Sequence, residues 1–226
     1  MTLRVITGGR AAIDLPGLLV VGAAEITTMA GGLHAGQNQG AVDRHDSTQT
    51  GGPDGPDAPA VAIWEGRILG VAGLADLERG LTAEGYPVER FARLDAAGGA
   101  VTPGLVDPHT HLLFAGSREG ELELRQHGAS YLEILAAGGG ILSTVGATRR
   151  ASAAELATHG RHWLDEMLGH GVTTVEAKSG YGLDLPTELR LLEVAHHLGK
   201  EGPVEVIPTW LGAHAVPMEF GCVCGF

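Results

Sequence analysis

The sequence comprises 226 residues, of which 44 % are hydrophobic and 4 % aromatic, and its formal net charge is −12. The acidic balance and the lack of a Lys/Arg cluster argue against a nucleic-acid partner, because such proteins neutralise phosphates with a basic patch. No run approaches the roughly 18 apolar residues of a membrane span, no signal-peptide pattern is evident, and Cys222 and Cys224 build no disulfide framework, so we expect a cytoplasmic protein without membrane contact.

The first hundred residues predict a small, mainly β domain, which we place at residues 1–100. Residues 18–28 are rich in β-forming side chains and predict a strand, and another strand ends near Leu94. Two apolar runs, 61–64 and 67–71, flank Glu65-Gly66, a pattern typical of a two-residue hairpin turn.

Residues 30–59 differ in composition from their surroundings. They contain Gly, Pro, Asp, Asn, Gln and His with almost no large apolar side chain, so they cannot bury enough surface to offset their ordering entropy. We interpret this segment as a mobile surface insertion, and we interpret its histidines, His34 and His45, as solvated rather than metal-binding.

Residues 101–226 alternate strand and helix patterns, which predicts parallel strands joined by helical crossovers. Ser152 and Glu155 match a capping box at the start of a helix, Pro186 suits the first turn of the next helix, and Gly199 is a candidate stop for it. The predicted strands are 101–106, 141–145, 172–176 and 204–211, and the predicted helices are 131–137, 152–170 and the segment from Pro186 to Gly199.

The stretch "VTPGLVDPHTHLLFAGSR" places two histidines at the end of an apolar run that we interpret as a buried strand. Side chains alternate along a strand, so His109 and His111 point to the same face. Two imidazoles on one face can share a metal ion, whereas a single histidine would more often be a satisfied core residue. Asp107 could orient an imidazole or simply form the turn before Pro108.

Polar residues also follow the later strands, in "EAKSGYG" and "TWLGAHAVP". Ligands of parallel α/β folds bind at the carboxyl ends of the strands, so these stretches are candidates for a site. Residues 138–140, a Gly triplet without the pattern of a phosphate loop, are interpreted as a flexible connector.

Several of these stretches together resemble the imidazolonepropionase family of the amidohydrolase superfamily. They are "TPGLVDPHTHLLFAGSR", "ELRQHGASYLEILAAGGGILSTV", "GVTTVEAKSGYGLDLPTELRLL" and "PTWLGAHAVP", and the resemblance extends from about residue 61 to residue 219. It implies an α/β fold: a metal-dependent (β/α)₈ barrel, of which residues 101–226 would form the first half, and a small β-sandwich domain contributed by residues 1–100.

The resemblance also implies a reaction and a set of site residues. The reaction is hydrolysis of the cyclic amide of 4-imidazolone-5-propanoate to N-formimidoyl-L-glutamate in histidine degradation, with one zinc or iron ion per subunit. His109 and His111 would be metal ligands, and Arg118, Tyr131, Tyr181 and His214 would contact the substrate. Independently, an arginine fork suits a carboxylate, and tyrosines can stack on a flat ring and donate from the hydroxyl.

The same resemblance implies a third metal histidine, a metal-ligating aspartate and an acidic proton-transfer residue, all expected beyond residue 226. We therefore expect the chain alone to be a truncated and inactive portion of the enzyme. Two alternatives stay open: another cyclic amidohydrolase, of hydantoinase, dihydropyrimidinase or deaminase type, or a non-catalytic fragment. A homodimer is open as well.

Overall fold

The computed structural model describes residues 15–29, 43–49, 52–55, 57–217 and 219–220. These residues fall into two compact units, one ending at Pro103 and the other beginning at Gly104. Within the described ranges, no helix is long and apolar enough to cross a membrane. His34, Cys222 and Cys224 lie outside the described residues.

The described residues form ten strands and six α-helices. The strands are β1 (Gly17–Val21), β2 (Glu25–Thr28), β3 (Asp43–Asp46), β4 (Pro59–Trp64), β5 (Arg67–Gly73), β6 (Phe91–Asp95), β7 (Ala100–Val101), β8 (Leu105–Thr110), β9 (Val172–Lys178) and β10 (Glu205–Thr209). The helices are α1 (Leu74–Ala83), α2 (Glu119–Gln126), α3 (Tyr131–Ala136), α4 (Ile141–Arg150), α5 (Ala153–Gly169) and α6 (Leu185–Glu201).

The first unit contains two sheets, with strand orders β5-β4-β1-β6 and β3-β2-β7. The predicted hairpin is confirmed: β4 and β5 pair antiparallel, and the turn residues Glu65 and Gly66 both have positive φ, 47° and 79°. Positive φ at both positions characterises the turn whose twist matches a two-residue hairpin. The core of the larger sheet contains Leu19, Ala60, Ala62, Leu77, Leu81 and Phe91.

Three features of this unit differ from the prediction. The strand expected over 18–28 is two strands, because Gly22 turns the chain with φ of 68°. Helix α1 was not predicted, although Leu77 and Leu81 lie on one helical face and are buried. Inside the proposed insertion 30–59, residues 43–46 form β3, since backbone pairing with β2 requires no apolar side chains.

The second unit contains a parallel sheet of order β10-β9-β8, flanked by α5 and α6. The predicted capping box is confirmed: the Ser152 hydroxyl accepts the Glu155 amide, and the Glu155 carboxylate accepts the Ser152 amide. Helices α3 and α6 also form close to the positions predicted for them. The core contains Leu112, Leu113, Leu156, Leu164, Val175, Ala177, Leu191, Val194, Leu198, Val204 and Val206.

Two strand predictions in this unit were wrong. Residues 141–145 lie in α4, whose buried residues Thr144, Val145 and Thr148 follow helical spacing, so the described part of this sheet has three strands instead of four. The strand expected to be buried over 101–106 begins only at Leu105, and Leu105 and Val106 are 56 % and 64 % exposed.

Gly199 does not end α6, which continues to Glu201. A Cβ at this position would lie 3.1 Å from the Val206 Cβ, so the glycine lets the helix approach β10 closely. Helix α2, which was not predicted, has no buried residue, and its sequence therefore carries no apolar periodicity.

Replacing Ser152 with Ala should lower the free energy of unfolding of the chain by about 1 kcal/mol, because the Glu155 amide loses its acceptor. Urea denaturation would measure this change. Thr158→Ala is the matched control within α5: its exposed hydroxyl only bonds back to the Ala154 carbonyl, so its change should stay within about 0.5 kcal/mol. Equal losses in both variants would contradict the capping role.

Candidate active site

Polar side chains gather at the carboxyl ends of the three parallel strands of the second unit. His109 lies near the end of β8, Tyr181 follows β9, and His214 follows β10. Parallel pairing brings these strand ends to the same edge of the sheet, with Thr110 opposite Ala177 and Thr209 opposite Lys178. This is the edge at which parallel α/β proteins bind ligands.

The structure brings His109 and His111 together, with ring centres 5.8 Å apart. His109 is exposed, whereas His111 is half-buried, and its Nδ1 atom is buried without a hydrogen-bond partner among the described residues. Asp107 accepts the backbone N–H of His109 at 3.0 Å, the contact expected of a turn-forming aspartate.

Burial lowers the pKa of His111, and the neighbouring His214 and His109 lower it further. The neutral imidazole is therefore favoured. This is also the form of histidine that can ligate a metal, since ligation requires a free nitrogen lone pair.

Tyr181 and His214 pack around His111. The ring centre of His111 lies 4.6 Å from that of His214 and 4.9 Å from that of Tyr181. Gly180 permits this approach: it has φ of 113°, and a Cβ there would lie 2.8 Å from the His214 Cβ. Three residues predicted from different stretches thus form one cluster.

A cavity of about 440 Å³ lies beside this cluster. Its lining includes His111, Phe114, Arg118, His159, Trp163 and Tyr181. Tyr131 is not part of the lining: it is 48 % exposed, and the Arg125 guanidinium lies 5.9 Å from its ring centre.

Arg118 forms a bidentate ion pair with the carboxylate of Glu121. The Arg118 Nε donates to both carboxylate oxygens at 3.1 and 3.0 Å, and Nη2 donates to Oε2 at 2.7 Å. This hydrogen bonding raises the pKa of Arg118 and lowers the pKa of Glu121, so both groups are charged.

Glu121 also contacts the glycine triplet. Its Oε1 accepts the Gly140 amide at 2.6 Å, and Gly139 packs so closely that a Cβ would lie 2.7 Å from the Ile134 Cγ2. The segment 138–140 does connect α3 to α4, and its Gly140 end is bound to α2, while its flexibility stays a prediction.

Sequence reasoning missed a polar group beside His109. Glu176 accepts from the Lys178 ammonium at 2.5 Å and from the Thr209 hydroxyl at 2.8 Å. These contacts, that of Lys178 first, lower the pKa of Glu176, and His109 adds to the effect. The two-residue spacing of Glu176 and Lys178 at a strand end was the available signal, because it places both on one face.

The two histidines fit half of a metal site. With metal–nitrogen distances of about 2.0–2.1 Å, the ring centres of two ligands lie about 5–6 Å apart, which agrees with the observed pair. The buried His111 Nδ1, which has no hydrogen-bond partner among the described residues, is one candidate ligand atom. In the part of the chain that the structure describes, however, no group of three or more His, Cys, Asp or Glu side chains could hold a metal ion.

Curated proteins of closely similar sequence exist, although no family model matches the chain. It is 61 % identical over 127 residues to imidazolonepropionase of Alkaliphilus metalliredigens, covering 56 % of this chain and 30 % of that protein. It is 53 % identical over 164 residues to imidazolonepropionase of Bacillus cytotoxicus, covering 73 % of this chain and 37 % of that protein. The chain is a homologue of imidazolonepropionases. It spans about a third of the length of the curated relatives it matches.

The comparison of folds is weaker. Ochratoxinase of A. niger is 14 % identical with a TM-score of 0.42, and the match covers 87 % of this chain and 31 % of that one. The similarity to imidazolonepropionases therefore comes from sequence, and the structure itself establishes an α/β architecture.

Gly180→Ala should lower the free energy of unfolding by about 1–3 kcal/mol, because φ of 113° is strained for alanine and the new Cβ would meet His214. Gly169→Ala, at the end of α5 with open space around it, is the control and should change stability by less than about 1 kcal/mol. Thermal and urea denaturation would measure both. A neutral Gly180→Ala would show that the His214 segment moves freely.

Proposed function

We propose that this chain contributes the metal half-site and the substrate-binding residues of an imidazolonepropionase, which hydrolyses 4-imidazolone-5-propanoate to N-formimidoyl-L-glutamate. The observation that carries the proposal is the grouping of His111, Tyr181 and His214 beside a cavity that Arg118 also lines. The proposed architecture is the first half of an amidohydrolase-type (β/α)₈ barrel at residues 101–226 and a β-sandwich portion at 1–100.

His109 and His111 would hold one zinc or iron ion per subunit. When bound, such an ion would polarise a water molecule or the ring carbonyl and so favour hydrolysis. The remaining ligands and an acidic proton-transfer residue are expected outside this chain. Burial lowers the pKa of His111 and so favours the neutral imidazole that can act as a ligand.

Arg118 would bind the propionate group. Glu121 engages Nε and Nη2 and thereby fixes the plane of the guanidinium, while Nη1 has no partner among the described residues. A carboxylate entering the cavity would meet an oriented, fully charged donor instead of a mobile side chain. Tyr131 adds a small contribution, after those of Glu121 and Tyr181, to the raised pKa of Arg118. We propose that it contacts the propionate end of the substrate from outside the cavity lining.

Tyr181 and His214 would contact the imidazolone ring. Their rings surround His111, so a flat substrate next to the metal half-site would meet an aromatic face and two groups capable of hydrogen bonding. Arg118 and Tyr181 lining one cavity suits a ring that carries a carboxylate arm. This combination, together with the named relatives, favours imidazolonepropionase over another cyclic amidohydrolase or a non-catalytic fragment.

Several properties of the protein stay predictions. They are its cytoplasmic location, a homodimer, the absence of nucleic-acid and membrane partners, the mobility of residues 30–59 and the inactivity of the chain alone. Functional tests accordingly use the extended protein, in which this chain continues to the length of its relatives.

Replacing His109 or His111 with Ala in the extended protein should reduce metal affinity by more than the roughly 10–100-fold typical of residues that only orient a ligand. Elemental analysis after dialysis at fixed free zinc or iron measures the retained ion. His197→Ala is the control, because that imidazole is exposed and faces Glu201 on α6. Unchanged metal content in both test variants would remove the proposed half-site.

Arg118→Ala in the extended protein should lower kcat/KM for imidazolonepropionate by roughly 10–150-fold, the equivalent of about 1.5–3 kcal/mol for a charge-assisted hydrogen bond. Arg118→Lys should restore only part of it, because the planar fork is lost. Arg161→Ala, which removes an exposed ion pair with Glu201, is the control and should leave the rate unchanged. Wild-type kinetics in Arg118→Ala would disprove the assignment.

A further inference from the structure

Residues 179–184, here named the Tyr181 loop, connect β9 to α6 and carry the tyrosine that packs on His111. At its start, the Ser179 amide donates to the Thr209 carbonyl, and the Ser179 hydroxyl accepts the Leu211 amide, both at 2.9 Å. At its end, Asp184 accepts the Thr187 amide and begins α6. Between these two anchors the loop has no regular secondary structure.

The middle of the loop is bound to a buried carboxylate. Glu188, in the first turn of α6, is only 1 % exposed. Its Oε1 accepts the amides of Gly182 at 2.7 Å and Leu183 at 2.8 Å, and its Oε2 accepts the Gly180 amide at 2.8 Å. Three amides on both sides of Tyr181 therefore converge on one side chain.

The glycines of the loop make this approach possible. A Cβ at Gly182 would lie 2.9 Å from Glu188 Oε1 and 2.8 Å from the Thr187 Cβ, so only glycine leaves room for the carboxylate. A Cβ at Gly180 would likewise lie too close to a neighbour, here the His214 side chain on the opposite side. The sequence pattern of glycines around Tyr181 thus serves a specific contact, not general flexibility.

Arg149, on α4, binds the same peptide groups from the other direction. Its Nε donates to the Gly182 carbonyl at 2.7 Å and its Nη2 to the Leu183 carbonyl at 3.1 Å. Arg149 also pairs with Asp184 at 2.9 Å. The peptide groups of residues 182 and 183 are therefore held between a carboxylate at their N–H groups and a guanidinium at their C=O groups.

This arrangement maintains an unfavourable backbone conformation. Leu183 has φ of 53°, in the left-handed region that a leucine rarely adopts, and its side chain is 1 % exposed. Such conformations are unfavourable and persist only where the surroundings impose them. Without the two charged partners, the loop would have other conformations available.

We propose that Glu188 is a positioning residue for the reaction: together with Arg149, it fixes the Tyr181 loop so that Tyr181 meets the imidazolone ring next to His111. This inference rests on the proposed function for its substrate. The geometric part of it, that Glu188 determines the position of Tyr181, can be tested without turnover.

The first test follows Tyr181 directly. The extended protein is labelled with 3-fluorotyrosine, and Tyr181→Phe identifies the ¹⁹F resonance of Tyr181. Glu188→Gln replaces one acceptor oxygen with an N–H₂ group that faces amide donors, so the Tyr181 resonance should shift or broaden while the other tyrosine resonances remain. Arg149→Met removes a side chain that is 27 % exposed and should also shift or broaden the Tyr181 resonance. It is the substitute variant if Glu188→Gln does not fold.

Glu155→Gln is the matched control. It makes the same substitution at another carboxylate that accepts a backbone amide, outside the lining of the cavity beside Tyr181, and glutamine also serves in a capping box. All tyrosine resonances should stay in place in this variant.

The second test measures coupling during turnover. Glu188→Gln should raise KM for imidazolonepropionate roughly tenfold, with a smaller effect on kcat, because ring binding suffers first. In a Tyr181→Ala background, which lacks the aromatic ring, the same substitution should add less than about twofold, since residues that act as a unit are non-additive. A general loss of stability would multiply with Tyr181→Ala instead.

A selective change in the Tyr181 resonance, with the kinetic effect lost in the Tyr181→Ala background, supports the proposal. An unmoved Tyr181 resonance, or kinetic losses that multiply, overturns it. If the wild-type extended protein does not hydrolyse imidazolonepropionate, the proposed function fails, and the fluorine spectra alone then decide whether Glu188 positions Tyr181.

Discussion

A buried carboxylate must be surrounded by hydrogen-bond donors, and Glu188 meets this requirement with three backbone amides of the Tyr181 loop. The loop can supply them only where glycine permits close approach and where Leu183 accepts a left-handed conformation. Because the loop is fixed in this way, Tyr181 lies against His111 and leaves space for His214. The position of Tyr181 in the candidate site therefore depends on the hydrogen bonds of Glu188, a side chain that is not itself part of the site.

A second constraint is that cationic side chains near the site are each paired with a carboxylate. Arg118 pairs with Glu121. Lys178, whose side chain is 15 % exposed, pairs with Glu176. Each pairing fixes the direction of a long side chain before any ligand arrives, which reduces the entropy lost on binding. The partners are themselves anchored, Glu121 by the Gly140 amide and Glu176 by the Thr209 hydroxyl. Preorganised donors of this kind suit an anionic ligand.

Local sequence predicted those elements whose causes are local. The capping box of Ser152, the hairpin at Glu65-Gly66 and the first turn of α6 at Pro186 each depend on a few neighbouring residues. The strand predicted at 141–145 failed because its β-branched residues fit equally well on one face of a helix. Gly199 was misinterpreted because its reason lies across space, in the contact between α6 and β10.

The sequence by itself indicated the candidate residues of the site: two histidines at a strand end, an arginine, two tyrosines and a further histidine, all in stretches that resemble one enzyme family. Only the tertiary structure decided how these residues meet. In the structure, His111 packs against Tyr181 and His214. Arg118 pairs with Glu121, and Tyr131 does not line the cavity. It also revealed Glu188 and Arg149, whose partners are backbone groups. The reason is physical. Nearly every residue has the same peptide N–H and C=O groups, so a side chain that binds them cannot be recognised from the residue types of its partners, except through the glycines that make room for it.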